Sequence, residues 1–505
     1  MLRKIRLTFA MICFALITLL FLDFTGTLHG WFGWLAKIQF LPAVLALNVG
    51  VILFLVILTL VCGRIYCSVI CPLGVFQDIL AWLGRQPKKR RKLPYSYSPA
   101  LSWLRYGVLG VFIIALIAGI GSLAALLAPY SAYGRIANNL FQPIWQWGNN
   151  LLAYLAERAD SYAFYETDVW LKSLPTFIIA AATLAVLVVL AGRNGRTYCN
   201  TICPVGTVLG FLSRYSLFRI TIDSEKCNQC SLCSRNCKAA CINFKEHQID
   251  ASRCVVCMNS IEKCKHGAIS YKYHPFGKPA AGKADSEQIN ETRRSFFTAT
   301  ALVAATSVLK AQEKKVDGGL AAIEDKKILE RSTPLTLPIF RLTPPGSLSA
   351  RNMAQHCTAC QLCVSACPNQ VLRPSADLRK LMQPEMSYER GYCRPECTKC
   401  SEVCPAGAIR PITKADKSSV QIGHAVWVKK NCIPLTDGVQ CGNCARHCPT
   451  GAIQMVPSIP EDKDSPKIPV INVERCIGCG ACENLCPARP FSAIYVEGHE
   501  RHRII

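Results

Sequence analysis

Four stretches of the chain are apolar over a length close to that of a bilayer span: residues 7–22, 42–61, 103–127 and 175–190. A span takes roughly 17–25 apolar residues, so the first and last sit near the short limit. The charges that flank them follow one pattern. Arg3, Lys4 and Arg6 precede the first stretch. Arg64, Arg85 and the run Lys88, Lys89, Arg90, Arg91, Lys92 follow the second, and Arg193, Arg196, Arg214 and Arg219 follow the fourth. Basic flanks mark the cytoplasmic side. Residues 129–172 carry Glu157, Asp160, Glu166 and Asp168 with many aromatics, which predicts an outer loop lying partly on the membrane surface. One topology satisfies all four assignments: a cytoplasmic N-terminus and four transmembrane helices. Residues 23–40 lack a small-residue cleavage site, so the first stretch is read as a span and not as a secretory signal.

The helical part is duplicated. Gly63-Arg64-x-Tyr66-Cys67-x-x-Ile70-Cys71-Pro72-x-Gly74 follows the second stretch, and Gly195-Arg196-x-Tyr198-Cys199-x-x-Ile202-Cys203-Pro204-x-Gly206 follows the fourth. Two units of the same orientation predict a parallel repeat about an axis along the membrane normal. Cysteines four apart share a helix face. Cys67, Cys71, Cys199 and Cys203 are therefore expected to face one another at the cytoplasmic end, as ligands of one metal cluster or as a redox thiol site. Cys13 and Cys62 fall outside the pattern and are read as packing residues.

Most of the thirty cysteines obey a different rule. Cys357, Cys360, Cys363 and Cys367 before Pro368 give C-x2-C-x2-C-x3-C-P, and Cys476, Cys479, Cys482 and Cys486 before Pro487 repeat it. Two looser versions lie between: Cys393, Cys397, Cys400, Cys404 and Cys432, Cys441, Cys444, Cys448. This is ferredoxin spacing, in which three thiolates wrap one cluster and the fourth, before proline, ligates its neighbour. Disulfides do not explain the repeated Cys-Pro, and zinc sites usually take two separated pairs. Four 4Fe–4S clusters are expected in residues 351–505, with the first motif paired to the fourth and the second to the third. An inner ferredoxin-like module spans 219–274 with up to two clusters. Its motifs are Cys227, Cys230, Cys233, Cys237 and Cys254, Cys257, Ser260, Cys264. Serine is a harder donor than thiolate. The second inner cluster is therefore serine-ligated, three-iron, or completed by the nearby Cys241.

Between the modules, a linker (275–292) leads to Arg293-Arg294-Ser295-Phe296-Phe297 and a weakly apolar run to residue 310, the form of a twin-arginine export signal. A second linker covers 311–350. The fold class expected for 1–218 is an α-helical transmembrane bundle of four helices plus the export-signal helix, joined to two ferredoxin-like α+β modules. Composition agrees: 51% of residues are hydrophobic and the net charge is +24. Such a basic excess in a membrane protein reports inner loops more often than nucleic acid. Of nine histidines only His29 lies in the helical part, which excludes an intramembrane bis-histidine haem, and no C-x-x-C-H is present. There is no dinucleotide-binding or Walker loop, so neither NAD nor ATP is implied. Quinol is the electron donor that remains. Its oxidation needs a proton acceptor, for which Asp23, His29, Glu166 and Asp168 are candidates.

Residues 1–275 resemble the NapH family of membrane quinol dehydrogenases through the two Cys-x3-Cys-Pro motifs, and residues 290–505 resemble the NapG and MauM ferredoxin type through the cysteine quartets. The chain departs from both as a fusion with an internal export segment, and at Ser260. The resemblance implies a bacterial inner-membrane protein with a periplasmic C-terminal domain. It would pass electrons from the quinone pool to a periplasmic reductase or its cytochrome, nitrate reductase in that family. An alternative is an assembly or regulatory iron–sulfur factor of the NosR or MauN kind.

Overall fold

A computed structural model describes residues 2–23, 26–84, 95–161, 163–274, 341–462 and 464–505. Arg85, the run Lys88 to Lys92, the twin-arginine segment and most of both linkers lie outside the described residues. The helical part runs α1 Leu2–Leu22, α2 Thr27–Phe32, α3 Trp34–Lys37, α4 Phe40–Leu45, α5 Val49–Cys62, α6 Tyr66–Val69, α7 Pro72–Leu83, α8 Ser102–Ile117, α9 Gly121–Leu127 and α10 Pro129–Ile136. A π-helical turn, Ala137–Phe141, leads into α11 Gln142–Glu157. Then come α12 Leu174–Asn194, α13 Thr197–Thr201 and α14 Pro204–Ser213.

Among the described residues, only α1 and α12, 21 residues each, are long and apolar enough to cross a membrane. At 1.5 Å per residue each is about 31 Å long, the thickness of a hydrocarbon layer. Their outward faces are apolar, with Phe9, Ile12, Ile178 and Val189 exposed, and α5 and α8 add Phe54, Ile57, Ile114 and Ile117. The other two expected spans are each broken. Leu47 adopts a positive φ of 52° and the Asn48 side chain accepts from the Val51 N–H, which ends α4 and caps α5. Gly119, at φ 71°, separates α8 from α9. Average hydropathy ran through both breaks because the residues on either side are equally apolar.

The expected outer loop is corrected as well. Its first part, α10 and the π-helical turn, is not on the surface: every residue of α10 is buried. α10 packs against α7, α12 and α1, with Tyr133 edge-on to Phe14, Phe21 and Phe76. The surface part begins with α11, where Ile144, Trp147 and Leu151 are exposed, and continues through Glu166 and Asp168.

The two ferredoxin modules cap opposite ends of the bundle. The inner one pairs strands Phe218–Ile222 and Ile269–Tyr273 antiparallel, and meets the N-terminal end of α1 and the C-terminal ends of α5 and α12. Leu217 N–H donates to the Leu60 carbonyl at 2.7 Å, Arg196 N–H to the Lys238 carbonyl at 2.9 Å, and Arg3 Nε to Asn259 Oδ1 at 3.1 Å. The outer module carries three two-stranded antiparallel pairs, the longest joining Val420–Trp427 to Ile494–Ile504 across a register shift. It sits at the C-terminal end of α1, where one hydrophobic core joins Phe21, Tyr130 and Tyr133 to Cys360, Leu362 and Val403.

Asp78 of α7 ties three of these parts together. Its carboxylate accepts from Arg196 at 2.8 and 2.9 Å and from Arg6 of α1 at 3.0 Å, and faces Lys238 of the inner module at 3.5 Å. Asp78→Asn would leave three cations around a neutral amide. Breaking a buried pair from one side costs about 3–5 kcal/mol. We expect a correspondingly lower unfolding midpoint for the detergent-solubilised variant. A midpoint equal to that of the parent would show that these charges are solvated.

Candidate iron–sulfur sites

The regular ferredoxin loops are built to turn backbone N–H groups inward. Two and four residues after the first cysteine, the chain takes a left-handed conformation: Gln229 and Ser231, Val256 and Met258, Ala359 and Gln361, Gly478 and Gly480. Three residues after the fourth it does so again, at Ala240, Gly267, Gln370, Gly407 and Gly451. Alternation of this kind makes an anion-binding concavity. Ala359 N–H points to Cys357 Sγ at 3.4 Å, Ile409 N–H to Cys404 Sγ at 3.4 Å and Ala493 N–H to Cys486 Sγ at 3.2 Å. Gly480 is required at its place, because a Cβ there would lie 2.2 Å from the Tyr388 ring.

The thiols gather in fours, but not in the expected pairing. Cys404 stands with Cys357, Cys360 and Cys363, and Cys367 with Cys393, Cys397 and Cys400. Cys486 stands with Cys432, Cys441 and Cys444, and Cys448 with Cys476, Cys479 and Cys482. The first motif therefore pairs with the second and the third with the fourth, and two separate hydrophobic cores enclose the two pairs. The pairs meet where Cys393 N–H donates to the Cys479 carbonyl at 2.9 Å.

In the inner module Cys227, Cys230, Cys233 and Cys264 line one small pocket. Cys254, Cys257 and Cys237 form the other set, and Cys241 completes it. Its Sγ lies 3.6 Å from that of Cys237, and it also bonds Cys254. The Cys241 thiol holds Cys237 below the usual thiol range. Ser260 stays in the buried first turn of its short helix, Asn259–Lys263. The structure thus brings a thiol, four residues after Cys237, into the place beside Cys237 and Cys254.

Cys67, Cys71, Cys199 and Cys203 do converge, each 3–4% exposed. Each fixed position of the duplicated signature has a task. Gly63 and Gly195, at φ 74° and 70°, end α5 and α12. The arginines cross between repeats: Arg64 donates to the Cys199 carbonyl at 3.3 Å and Arg196 to the Cys67 carbonyl at 2.7 Å. Tyr66 Oη donates to Gln39 Oε1 and Tyr198 Oη to the Leu127 carbonyl, anchoring the segments before α4 and α10. The prolines open α7 and α14. Gly74 and Gly206 allow contact with the Cys67 and Cys199 carbonyls, which a Cβ would approach to 2.2 and 2.3 Å. The thiols receive donors too: Arg64 Nη2 to Cys67 at 3.8 Å, Gln77 Nε2 to Cys199 at 3.3 Å and Gly206 N–H to Cys203 at 3.3 Å.

Seven sets of four thus account for every cysteine except Cys13 and Cys62. Among the described residues, no three donors converge tightly enough for a single metal ion. A cluster with its own sulfides holds its thiolates farther apart, and it is what these sets fit. As free thiols, Cys357 and Cys360 resist ionisation: burial pushes Cys357 up to about 12 and Cys360 up to about 11, against opposing backbone N–H groups. Binding iron supplies the positive charge that releases those protons.

Of the expected proton acceptors, the structure unites two. The Asp23 carboxylate accepts from the Gly26 and Leu28 N–H groups and faces His29 Nδ1 at 3.2 Å, while His29 Nε2 is buried without a protein partner. Glu166 and Asp168 are exposed and elsewhere, Asp168 facing Arg390.

The fold and its thiol sets define a ferredoxin-type iron–sulfur protein. A 4Fe-4S binding domain family matches residues 44–91 and 174–222, one match per helical repeat, and a 4Fe-4S dicluster domain family matches 356–408 and 439–489. The first dicluster match encloses the first two motifs, and the second encloses the fourth and all of the third but Cys432, in agreement with the observed pairing. The chain belongs to the family of the ferredoxin-type protein NapG: it is 31% identical to the Escherichia coli protein over 179 residues, 34% of this chain and 75% of that one. It is also 28% identical to the ferredoxin-type protein NapH of Haemophilus influenzae over 202 residues, 40% of this chain and 56% of that one. To the methylamine utilization ferredoxin-type protein MauM of Methylobacillus flagellatus it is 32% identical over 150 residues, 29% and 63% of the two chains. Each relative covers part of the chain, consistent with a fusion of such units. No solved structure matches.

Two substitutions separate the ligand assignments. Cys241→Ala should remove iron from the inner module and alter its electron paramagnetic resonance (EPR) spectrum, whereas Ser260→Ala should change neither; the reverse result would restore serine as ligand. Cys404→Ala should disturb the same signal as Cys363→Ala and leave that of Cys486→Ala variants distinct.

Proposed function

We propose that this protein carries electrons from membrane quinol to a periplasmic reductase, nitrate reductase by family resemblance, with the inner module cytoplasmic and the outer module periplasmic. The observation that carries the reading is the unbroken packing of thiol sets from one end of the bundle to the other. The Cys254 set faces Arg64, which donates to Cys67. From Cys199 the next side chain outward is Tyr198, and Arg135 of α10 lies within reach of both Tyr198 and Cys360. Gly134 of α10 abuts the Cys360 carbonyl, and Tyr130 faces Cys360 and Cys404. The second outer set also borders the helical domain, where Cys367 faces Lys172, and the third and fourth follow in the outer module.

Clusters bound by these sets would supply one-electron carriers. The chain's own residues do the rest. Inward N–H groups and Arg64 favour the charge that reduction adds. The apolar core around α10 excludes water. His29, oriented through Nδ1 by Asp23, has Nε2 free to take a quinol proton, the arrangement of a base held by a second group. The apolar belt on α1, α5, α8 and α12 supports placement in a bilayer.

The test is direct. Anaerobically purified protein should oxidise a quinol analogue and reduce an artificial acceptor at its outer module, and His29→Gln should slow this at least tenfold. An iron-replete protein inert to quinol would overturn the reading. Reporter fusions near Lys283 and after Ile505 should report opposite sides; same-side signals would refute the topology. Gly134→Leu, which drives a side chain into the Cys360 carbonyl, should abolish electron arrival from the inner module while chemical reduction of every cluster survives.

A further inference from the structure

Lys172, in the segment before α12, is a cation in an unusual place. Its ammonium is half-buried and donates to Asn138 Oδ1 and Gln142 Oε1, both at 2.7 Å. Neither partner is charged, and loss of solvent pulls the lysine down to about 7. Among the described residues, no carboxylate pairs with it. The ionisable groups it faces, which oppose that fall when they carry negative charge, are Cys367 and Cys363. These thiols belong to the first and second outer sets, which touch the helical domain. The π-helical turn makes the arrangement possible. It brings Asn138 and Asn139 together, and both donate to Gln361 Oε1, at 3.2 and 2.9 Å, between Cys360 and Cys363. Asn138 thus binds the lysine through its oxygen and the cluster loop through its nitrogen. π-helical turns occur frequently at functional sites.

A buried charge without an opposite partner is strongly unfavourable. Two neutral carbonyl oxygens orient this ammonium but do not balance it. The thiolate sets beside it are anionic when they hold iron, and each reduction adds one more negative charge. We propose that Lys172 is the counter-charge of the first two outer sets, and that the helical domain uses it to raise their reduction potential above that of the two remote sets. Nothing is transferred to the lysine: a single electron enters the cluster, and the fixed ammonium stabilises it. The effect ends when the outer module leaves the bundle, so docking and potential are coupled. The proposal rests on cluster binding by these cysteines and not on quinol as donor.

The experiment is a mediator-based redox titration of the full chain in detergent, followed by EPR, with iron counted in the same samples. Lys172→Met keeps the length of the side chain and removes the charge. At the poise that half-reduces the native signals of the first two sets, the variant should show a reduced-to-oxidised ratio about tenfold lower, or about 59 mV for one electron. Lys172→Arg should stay near the native midpoint, and the two remote sets should not move in either variant. An unchanged midpoint in iron-replete Lys172→Met overturns the proposal, as does an equal shift of all four outer signals. If Lys172→Met loses iron, Gln142→Leu decides: it keeps the lysine and removes one of its holders, and must shift the same two signals to lower potential. An unshifted pair there also overturns the proposal. Native protein lacking iron in these sets would instead refute the ligand assignment.

Discussion

Burial of cations against sulfur is the constraint on which this structure depends. Arg6, Arg64, Arg105, Arg135 and Arg196 are all at most 7% exposed in a domain whose surface is largely apolar. Asp78 meets two of them, and the others end on carbonyls, amides or thiols: Arg64 on Cys67, Asn200 and Ser252, Arg105 on Ser252, Arg135 on Ala125 and Leu126. Charges are expensive to remove from water unless paired. Thiolate sets loaded with iron would supply opposite charge to Arg64, Arg135 and Arg196, the three that face thiols. Folding of the bundle and occupancy of its thiol sets are therefore linked, in the sense that binding energy at a metal site is folding energy.

That constraint also explains what could be read from the sequence. The ferredoxin loops were legible because their geometry is local: two intervening residues between cysteines are what an alternating left-handed loop needs, at Cys357 as at Cys227. The duplicated signature was legible for the same reason, and so was the convergence of its four cysteines. The pairing of the outer motifs was not. The intervals from Cys367 to Cys393, Cys404 to Cys432 and Cys448 to Cys476 are similar, so spacing favours no partner, and the choice lies in tertiary packing. Cys241 was a visible thiol, but only the approach of Cys237 and Cys254 gives it a place.

Charge was the signal most easily misread. Arg64 and Arg196 were counted as basic flanks of spans, which fits the positive-inside pattern. Both point inward instead. Likewise, residues 129–142 belong to the stretch read as an outer loop from its aromatics and its acidic residues Glu157 to Asp168, yet Asn138, Asn139 and Gln142 are buried. Those polar groups are satisfied by Gln361 and Lys172, the first more than two hundred positions away. No window of hydropathy can see such a partner.

The crossing arginines give the duplication its meaning. A single repeat would hold two thiols and an arginine without its crossing acceptor, since that of Arg64 lies at Cys199 and that of Arg196 at Cys67. Two repeats complete each other twice, and bring four sulfurs together in the process. The same closure fixes Tyr66 and Tyr198 near the axis, one reaching the segment before α4 and the other the segment before α10. The second is continued by α10, packed on the Cys360 loop. The two repeats meet the outer module unequally: α10 and its π-helical turn reach Cys360 and Gln361, with side-chain hydrogen bonds from Asn138 and Asn139, while the end of α4 abuts the Cys404 loop at Gly407, whose missing Cβ would lie 3.6 Å from Ala46. The twofold is broken at α10, whose following turn carries the polar side chains that the outer module satisfies.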